Sequence, residues 1–136
     1  RVRLARFTYE DANGRQEPIV RYGFLLEDLG LLARRLGGLP IEVDALNPLH
    51  LDPVASARLE LFEYMIGNTD FSYVRSHNSE VVRLPDGTHQ AVPYDFDFSG
   101  LVDAPYANPA PQLGIETVRD RAYRGFCRPE VDAAVT

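Results

Sequence analysis

Residues 52–70 read DPVASARLELFEYMIGNTD, and this stretch decides the fold. Asp52 followed by Pro53 is a helix start: a carboxylate able to cap exposed amides, then a proline at the first helical position. Val54, Ala57, Leu61 and Met65 recur at helical spacing, with Phe62 and Ile66 beside them. That periodicity predicts a wide core-facing stripe. Gly67-Asn68 closes the helix, because both residue types tolerate the left-handed conformation in which helices end. Just beyond it, Thr69-Asp70-Phe71-Ser72 places a carboxylate at the helix mouth.

Upstream, Val2, Leu4, Phe7 and Tyr9 roughly alternate, which predicts a half-buried strand. Ile19 to Glu27 reads as a second, mostly buried strand, joined to the first through the turn chemistry of Asp11-Ala12-Asn13-Gly14. Asp28 can cap a short helix carrying Leu29, Leu32 and Leu36, which Gly37-Gly38 stops. Residues 39–51, with Pro40 and Pro48, read as a wandering connection. Downstream, Val81–Leu84 and His89–Tyr94 flank Pro85-Asp86-Gly87-Thr88, a hairpin signal. After Gly100 the chain is loop-like, with a weak helical signal over Arg119–Arg128. There is no internal repeat and no linker, so one α+β domain is expected.

The composition narrows the function classes. The 136 residues are 45% hydrophobic and 25% charged, as in globular domains. Fourteen basic against twenty acidic residues give a net charge of −6, which opposes binding to a nucleic-acid backbone. No apolar run is long enough to span a membrane. Every basic residue is arginine, so no lysine nucleophile, Schiff base or phosphate-gripping lysine can come from these residues. Cys127 stands alone, which rules out an internal disulfide and a multi-cysteine zinc site; it reads as a small buried hydrophobe. The sequence opens Arg-Val-Arg-Leu and its only methionine is Met65, so we expect a piece of a longer protein, with its compartment open.

The polar residues cluster. Asp70 is followed by Ser76-His77-Asn78, then the hairpin, then Pro93-Tyr94-Asp95-Phe96-Asp97-Phe98-Ser99-Gly100. On an extended backbone Asp95 and Asp97 share a face, with Phe96 and Phe98 on the other. Two such carboxylates repel unless a cation or an arginine lies between them. Hard oxygen donors beside an Asn suit Mg²⁺, Mn²⁺ or Ca²⁺ rather than zinc. Aspartates in loops also serve as turns and caps, and that reading stays open. So does a calcium loop: Asp95, Asp97, Ser99, Gly100 and Asp103 follow the EF-hand pattern, with Tyr106 where it needs a glutamate. Glu116, Arg119, Asp120, Arg121 and Arg124 read as a solvated ion-paired face, or as an arginine cluster that receives a phosphate. His50, His77 and His89 are too dispersed for a metal triad, and Tyr22, Tyr64, Tyr94 and Tyr106 are expected to pack with their hydroxyls at the surface.

The order of helix, Asp/Asn loop, hairpin and aspartate motif resembles the C-terminal lobe of protein kinases. The blocks YGFLLED at 22–28, FEYMIGNTD at 62–70, HN at 77–78 and PYDFDFSG at 93–100 resemble the atypical bacterial spore-coat CotH-type kinases. The resemblance implies a partial kinase-like α+β fold, with residues 1–27 ending the N-lobe sheet and 28–136 opening the C-lobe. It implies ATP-dependent phosphoryl transfer to a protein hydroxyl, with Mg²⁺ or Mn²⁺. Asp70 would act on the acceptor hydroxyl with Asn78 assisting. Asp95, Asp97 and Asn78 would hold the metal, and Glu27-Asp28 would lie at the hinge beside the adenine. The chain departs from ordinary kinases in lacking a His-Arg-Asp triplet, a glycine-rich phosphate loop and the strand lysine. Its Asn also lies eight residues after the Asp rather than five.

Overall fold

The computed structural model describes residues 1–42 and 44–126. They form a mixed α+β domain with two sheets and two α-helices. Strands β1 (Val2–Tyr9) and β2 (Ile19–Leu26) make an antiparallel ribbon running from the pair Val2 and Leu26 to the pair Tyr9 and Ile19. Its loop is closed by Asp11, whose carboxylate accepts the amides of Asn13 at 3.0 Å and Arg15 at 2.8 Å. The ribbon is far more exposed than its sequence predicts: Leu4 is 74% exposed and Phe24 61%. A two-stranded ribbon has no second layer of its own, and among the described residues neither strand packs broadly on another element.

Helix α1 (Leu29–Arg35) starts where Asp28 caps the Leu31 amide at 3.1 Å. Gly37, with φ +73°, turns the chain out of it. The expected connection at 39–51 contains instead a short strand, β3 (Leu39–Ile41), which pairs with β4 (Ser79–Arg83). Pro40 obscured it in the sequence; an edge strand tolerates proline because no partner needs its missing N–H. β4 pairs in turn with β5 (His89–Pro93) around the foreseen Pro85–Thr88 turn, giving the antiparallel order β3-β4-β5.

β4 is the centre of the domain. Alternate side chains of a strand face opposite ways, and both of its adjacent valines are buried. Val82 packs with Leu32 and Ala33 of α1. Val81 joins Leu46, Leu51, Leu59, Phe71 and Tyr73 in a second core cluster. Leu59 belongs to helix α2 (Pro53–Ile66), which begins where Asp52 accepts the Ala55 amide at 2.6 Å.

The ends of α2 are as expected, but its inner face is not. Ser56, Ala57, Leu59, Glu60, Glu63 and Ile66 are buried, while Met65 is 65% exposed. Of the predicted stripe, Ala57 and the flanking Ile66 are buried. Apolar periodicity misplaced the face because two glutamates lie on it: Glu60 accepts from Tyr73, Tyr123 and Phe126, and Glu63 accepts from Asn68 through one of its two oxygens. Residues 119–126 form turns, bends and irregular chain rather than a helix. Arg128 and Cys127, for which helix and core positions were expected, lie outside the described residues. No helix among the described residues is long and apolar enough to cross a membrane.

Candidate functional site

The site begins where α2 stops. Gly67 takes φ +69°, and the Asn68 amide donates to the Glu63 carbonyl at 2.8 Å. The Asn68 side chain then works in two directions. Its Nδ2 donates to Glu63 Oε2 at 2.9 Å, and its Oδ1 accepts the Asp70 amide at 3.0 Å. Asn68 is itself buried, so the Asp70 backbone is anchored to the helix interior.

The Asp70 carboxylate is held from the far side of the loop. Asn78 Nδ2 donates to the Asp70 carbonyl at 2.7 Å and to its Oδ2 at 3.0 Å, while His77 Nε2 lies 3.0 Å from Oδ1. The eight-residue separation of Asp70 and Asn78 is thus no obstacle. The loop folds back on itself through the paired backbones of Ser72 and His77, at 2.9 and 2.8 Å. Ser76 and Asn78 adopt positive φ to close it. Asn can do this at lower cost than most residues.

The second motif is delivered to the same place. The Tyr94 amide donates to the Asn78 carbonyl at 3.0 Å. At the other end, the amides of Gly100 and Leu101 donate to the carbonyls of Gly67 and Ile66, at 3.1 and 2.9 Å. Residues 94–101 are therefore tied to the Asp70 loop and to the end of α2. The Phe96 ring meets Phe62 of α2 edge-on at 5.8 Å. Asp95 has φ +57°, so the segment is a turn and not the extended strand expected. The two aspartates face each other all the same. Although Asp95 is exposed overall, local desolvation, the charge of Asp97 and, more weakly, that of Asp70 push its carboxyl above the usual range. Asp95 thus lies within electrostatic reach of both Asp97 and Asp70.

Asp95 and Asp97 also line a cleft of about 670 Å³ between the ribbon, α1 and β5. Its walls are largely apolar: Val2, Phe24 and Leu26 from the ribbon, Leu29 and Leu32 from α1, Val92 from β5. Glu27 lies on this cleft, but its carboxylate is engaged by Arg35, with Nε at 3.0 Å and Nη2 at 2.6 Å, which lowers it to about 2. The Asp28 carboxylate caps α1 and is not on the cleft. Both carboxylates are thus engaged within the chain.

No family model, no curated protein and no solved structure matches this chain.

The residues fit a hard divalent cation only in part. Among the described residues, no three His, Cys, Asp or Glu side chains are arranged to hold one. Asp95 and Asp97 supply two carboxylates, and Asn78, its amide nitrogen spent on Asp70, has only Oδ1 to offer. Two protein carboxylates with the remaining positions left to water and phosphate oxygens is a pattern Mg²⁺ accepts. An EF-hand does not fit: strand β5, not a helix, leads into the loop, and Tyr106 donates its hydroxyl to Asp97 Oδ2 at 2.9 Å. The Tyr106 side chain is exposed, as expected, and its hydroxyl is partnered there by Asp97.

The polar cluster near the C-terminal end is also more than a solvated face. Arg119 does pair with Asp103, at 3.5 Å. Asp120, however, caps the Thr117 turn, accepting the amides of Thr117 at 2.8 Å and Glu116 at 3.1 Å. Arg124 donates to the carbonyls of Thr69 and Phe71. Sequence reasoning named Arg124 and Asn68 but missed how they hold the Asp70 loop, and it missed the buried Glu60 and Glu63. The only available signal was the placing of two glutamates among apolar residues of α2.

Proposed function

We propose that this domain is the acceptor- and cation-binding part of an atypical, CotH-like phosphotransferase that moves a phosphoryl group from ATP to a protein hydroxyl. One observation carries the reading: Asp70, locked by Asn78 and His77, shares its surroundings with the repelling pair Asp95 and Asp97 at the edge of an apolar cleft.

Phosphoryl transfer asks the protein mainly for positioning and charge neutralisation. Asp70 accepts the proton of the acceptor hydroxyl and orients its oxygen. Asn78 and His77 stop the carboxylate from rotating. Asp95 and Asp97 would hold Mg²⁺ or Mn²⁺, which when bound neutralises phosphate charge. The apolar cleft suits a flat base, gripped through backbone and shape because Glu27 and Asp28 are occupied elsewhere. A non-catalytic module of the same architecture is the second reading, favoured by the complete lack of lysine.

The test is radiolabel transfer from ATP to protein acceptors, with Mg²⁺ and Mn²⁺. It uses both these 136 residues and the longest natural reading frame that carries them. Transfer by the long form alone is expected, since these residues contain no G-x-G-x-x-G loop and no lysine. Robust transfer by the 136 residues would show that the phosphate-binding elements are misassigned. No transfer by either form would leave the non-catalytic module.

A further inference from the structure

The segment 121–126 lies across the end of α2 and grips the Asp70 loop by its backbone. Arg124 Nη1 donates to the Thr69 carbonyl and, at 3.1 Å, to the Phe71 carbonyl. Its guanidinium also lies over the Phe71 ring, 5.7 Å from the centroid. We propose that Arg124 is a positioning residue for Asp70, setting where the acceptor-activating carboxylate sits by clamping the carbonyls on either side of it.

Three features make this more than a surface contact. First, the two carbonyls belong to residues i−1 and i+1 around Asp70. In extended chain such carbonyls point the same way. One cation spanning both therefore fixes the local backbone dihedrals, and with them the direction of the side chain between.

Second, Arg124 is itself held. The Tyr123 hydroxyl donates to Glu60 Oε2 at 3.0 Å, and the Phe126 amide donates to the same oxygen at 3.1 Å. Glu60 is 1% exposed, so the clamp is moored on both sides of Arg124 to the interior of α2. Third, the grip completes a set. The Asp70 amide is taken by Asn68 and its carbonyl by Asn78, which leaves the flanking carbonyls to Arg124. Both bonds come from the one Nη1, which leaves the guanidinium plane to lie over the Phe71 ring; a lysine ammonium can donate to a carbonyl but brings no such plane.

The catalytic part of this inference rests on the phosphotransferase reading; the clamp itself does not. The experiment therefore reads both, on the longest natural chain, with Arg124→Lys and Arg124→Ala. Amide hydrogen exchange is followed over residues 67–78 and, as an internal reference, over β4 and β5. Transfer kinetics are split into kcat and the KM for ATP. Arg124→Lys keeps the charge and is expected to fold with its melting temperature little changed. Exchange over 67–78 should rise roughly tenfold while β4 and β5 keep their protection. kcat should fall by up to about a hundredfold, the cost of a carboxylate displaced by an ångström, with the KM for ATP unchanged.

Unchanged exchange at 67–78 in both variants overturns the clamp. A kcat loss that follows only the loss of folded protein also overturns it. Raised local exchange in a chain whose wild type transfers no phosphate supports the clamp and overturns the phosphotransferase reading.

Discussion

Glu63 offers a quantitative test of how the loop is anchored. Its side chain is fully buried, one carboxylate oxygen accepts from Asn68, and the other, Oε1, has no partner among the described residues. Burial raises this carboxyl from 4.5 to about 7, against the opposing hydrogen bond from Asn68. At 1.36 kcal/mol per pKa unit, ionising it in place costs about 3 kcal/mol. Below pH 4.5 it is protonated folded and unfolded alike, and nothing is lost. Between 4.5 and about 7 the unfolded chain ionises first, so stability falls as pH rises. Above that window the full cost persists. Because Oε2 accepts from Asn68, the proton belongs on Oε1, and glutamine mimics that neutral form without titrating. Glu63→Gln should therefore lose the penalty: between pH 5 and pH 8 its melting temperature should gain about 10 °C on the wild type, at about 3–5 °C per kcal/mol for a domain this size. Thermal unfolding followed by circular dichroism across that range reads it. A difference between variant and wild type that stays constant with pH would refute the reasoning.

Other expectations follow from the same geometry. On the proposed phosphotransferase reading, Asp70→Asn keeps the shape but removes the base, so kcat in the long chain should drop about 10²–10⁴-fold with ATP binding intact, measured by transfer kinetics and nucleotide titration. Mg²⁺ or Mn²⁺ should raise the melting temperature by relieving the repulsion at Asp95, and Asp95→Asn should remove most of that gain. Because the Asp95 carboxyl is raised, the cation's effect should also weaken as pH falls and the group protonates. Gly100→Ala drives a Cβ into the Val118 carbonyl and should cost about 1–3 kcal/mol in denaturant unfolding.

Local chemistry made part of this legible in advance. The caps at Asp28 and Asp52, the stop at Gly67 and the Pro85–Thr88 turn each depend on a few adjacent residues, and each forms where it was expected. The neighbourhood of Asp70, Asn78, Asp95 and Asp97 was readable from their order along the chain. What failed was whatever depends on distant partners. β3 exists because β4 offers it an edge, and Pro40 disguised it. The ribbon's exposure reflects the missing second layer, which alternation within β1 and β2 cannot report. Arg124 looked like a solvated cation because its acceptors are backbone carbonyls more than fifty residues away.

The inner face of α2 shows why the structural and chemical errors share one cause. Reading Glu60 and Glu63 as outward-facing rotated the helix and hid its purpose. Burying them costs desolvation that a purely structural helix would avoid with leucine. Each is placed instead to hold a loop: Glu63 through Asn68 to the Asp70 amide, Glu60 through Tyr73 to the Asp70 loop and through Tyr123 and Phe126 to the segment that carries Arg124. A leucine at either position would pack as well but could not direct a polar loop. The carboxylates of α2 thus exchange some stability for a fixed Asp70, and that exchange is what the Glu63 titration and the Arg124 variants measure from opposite sides.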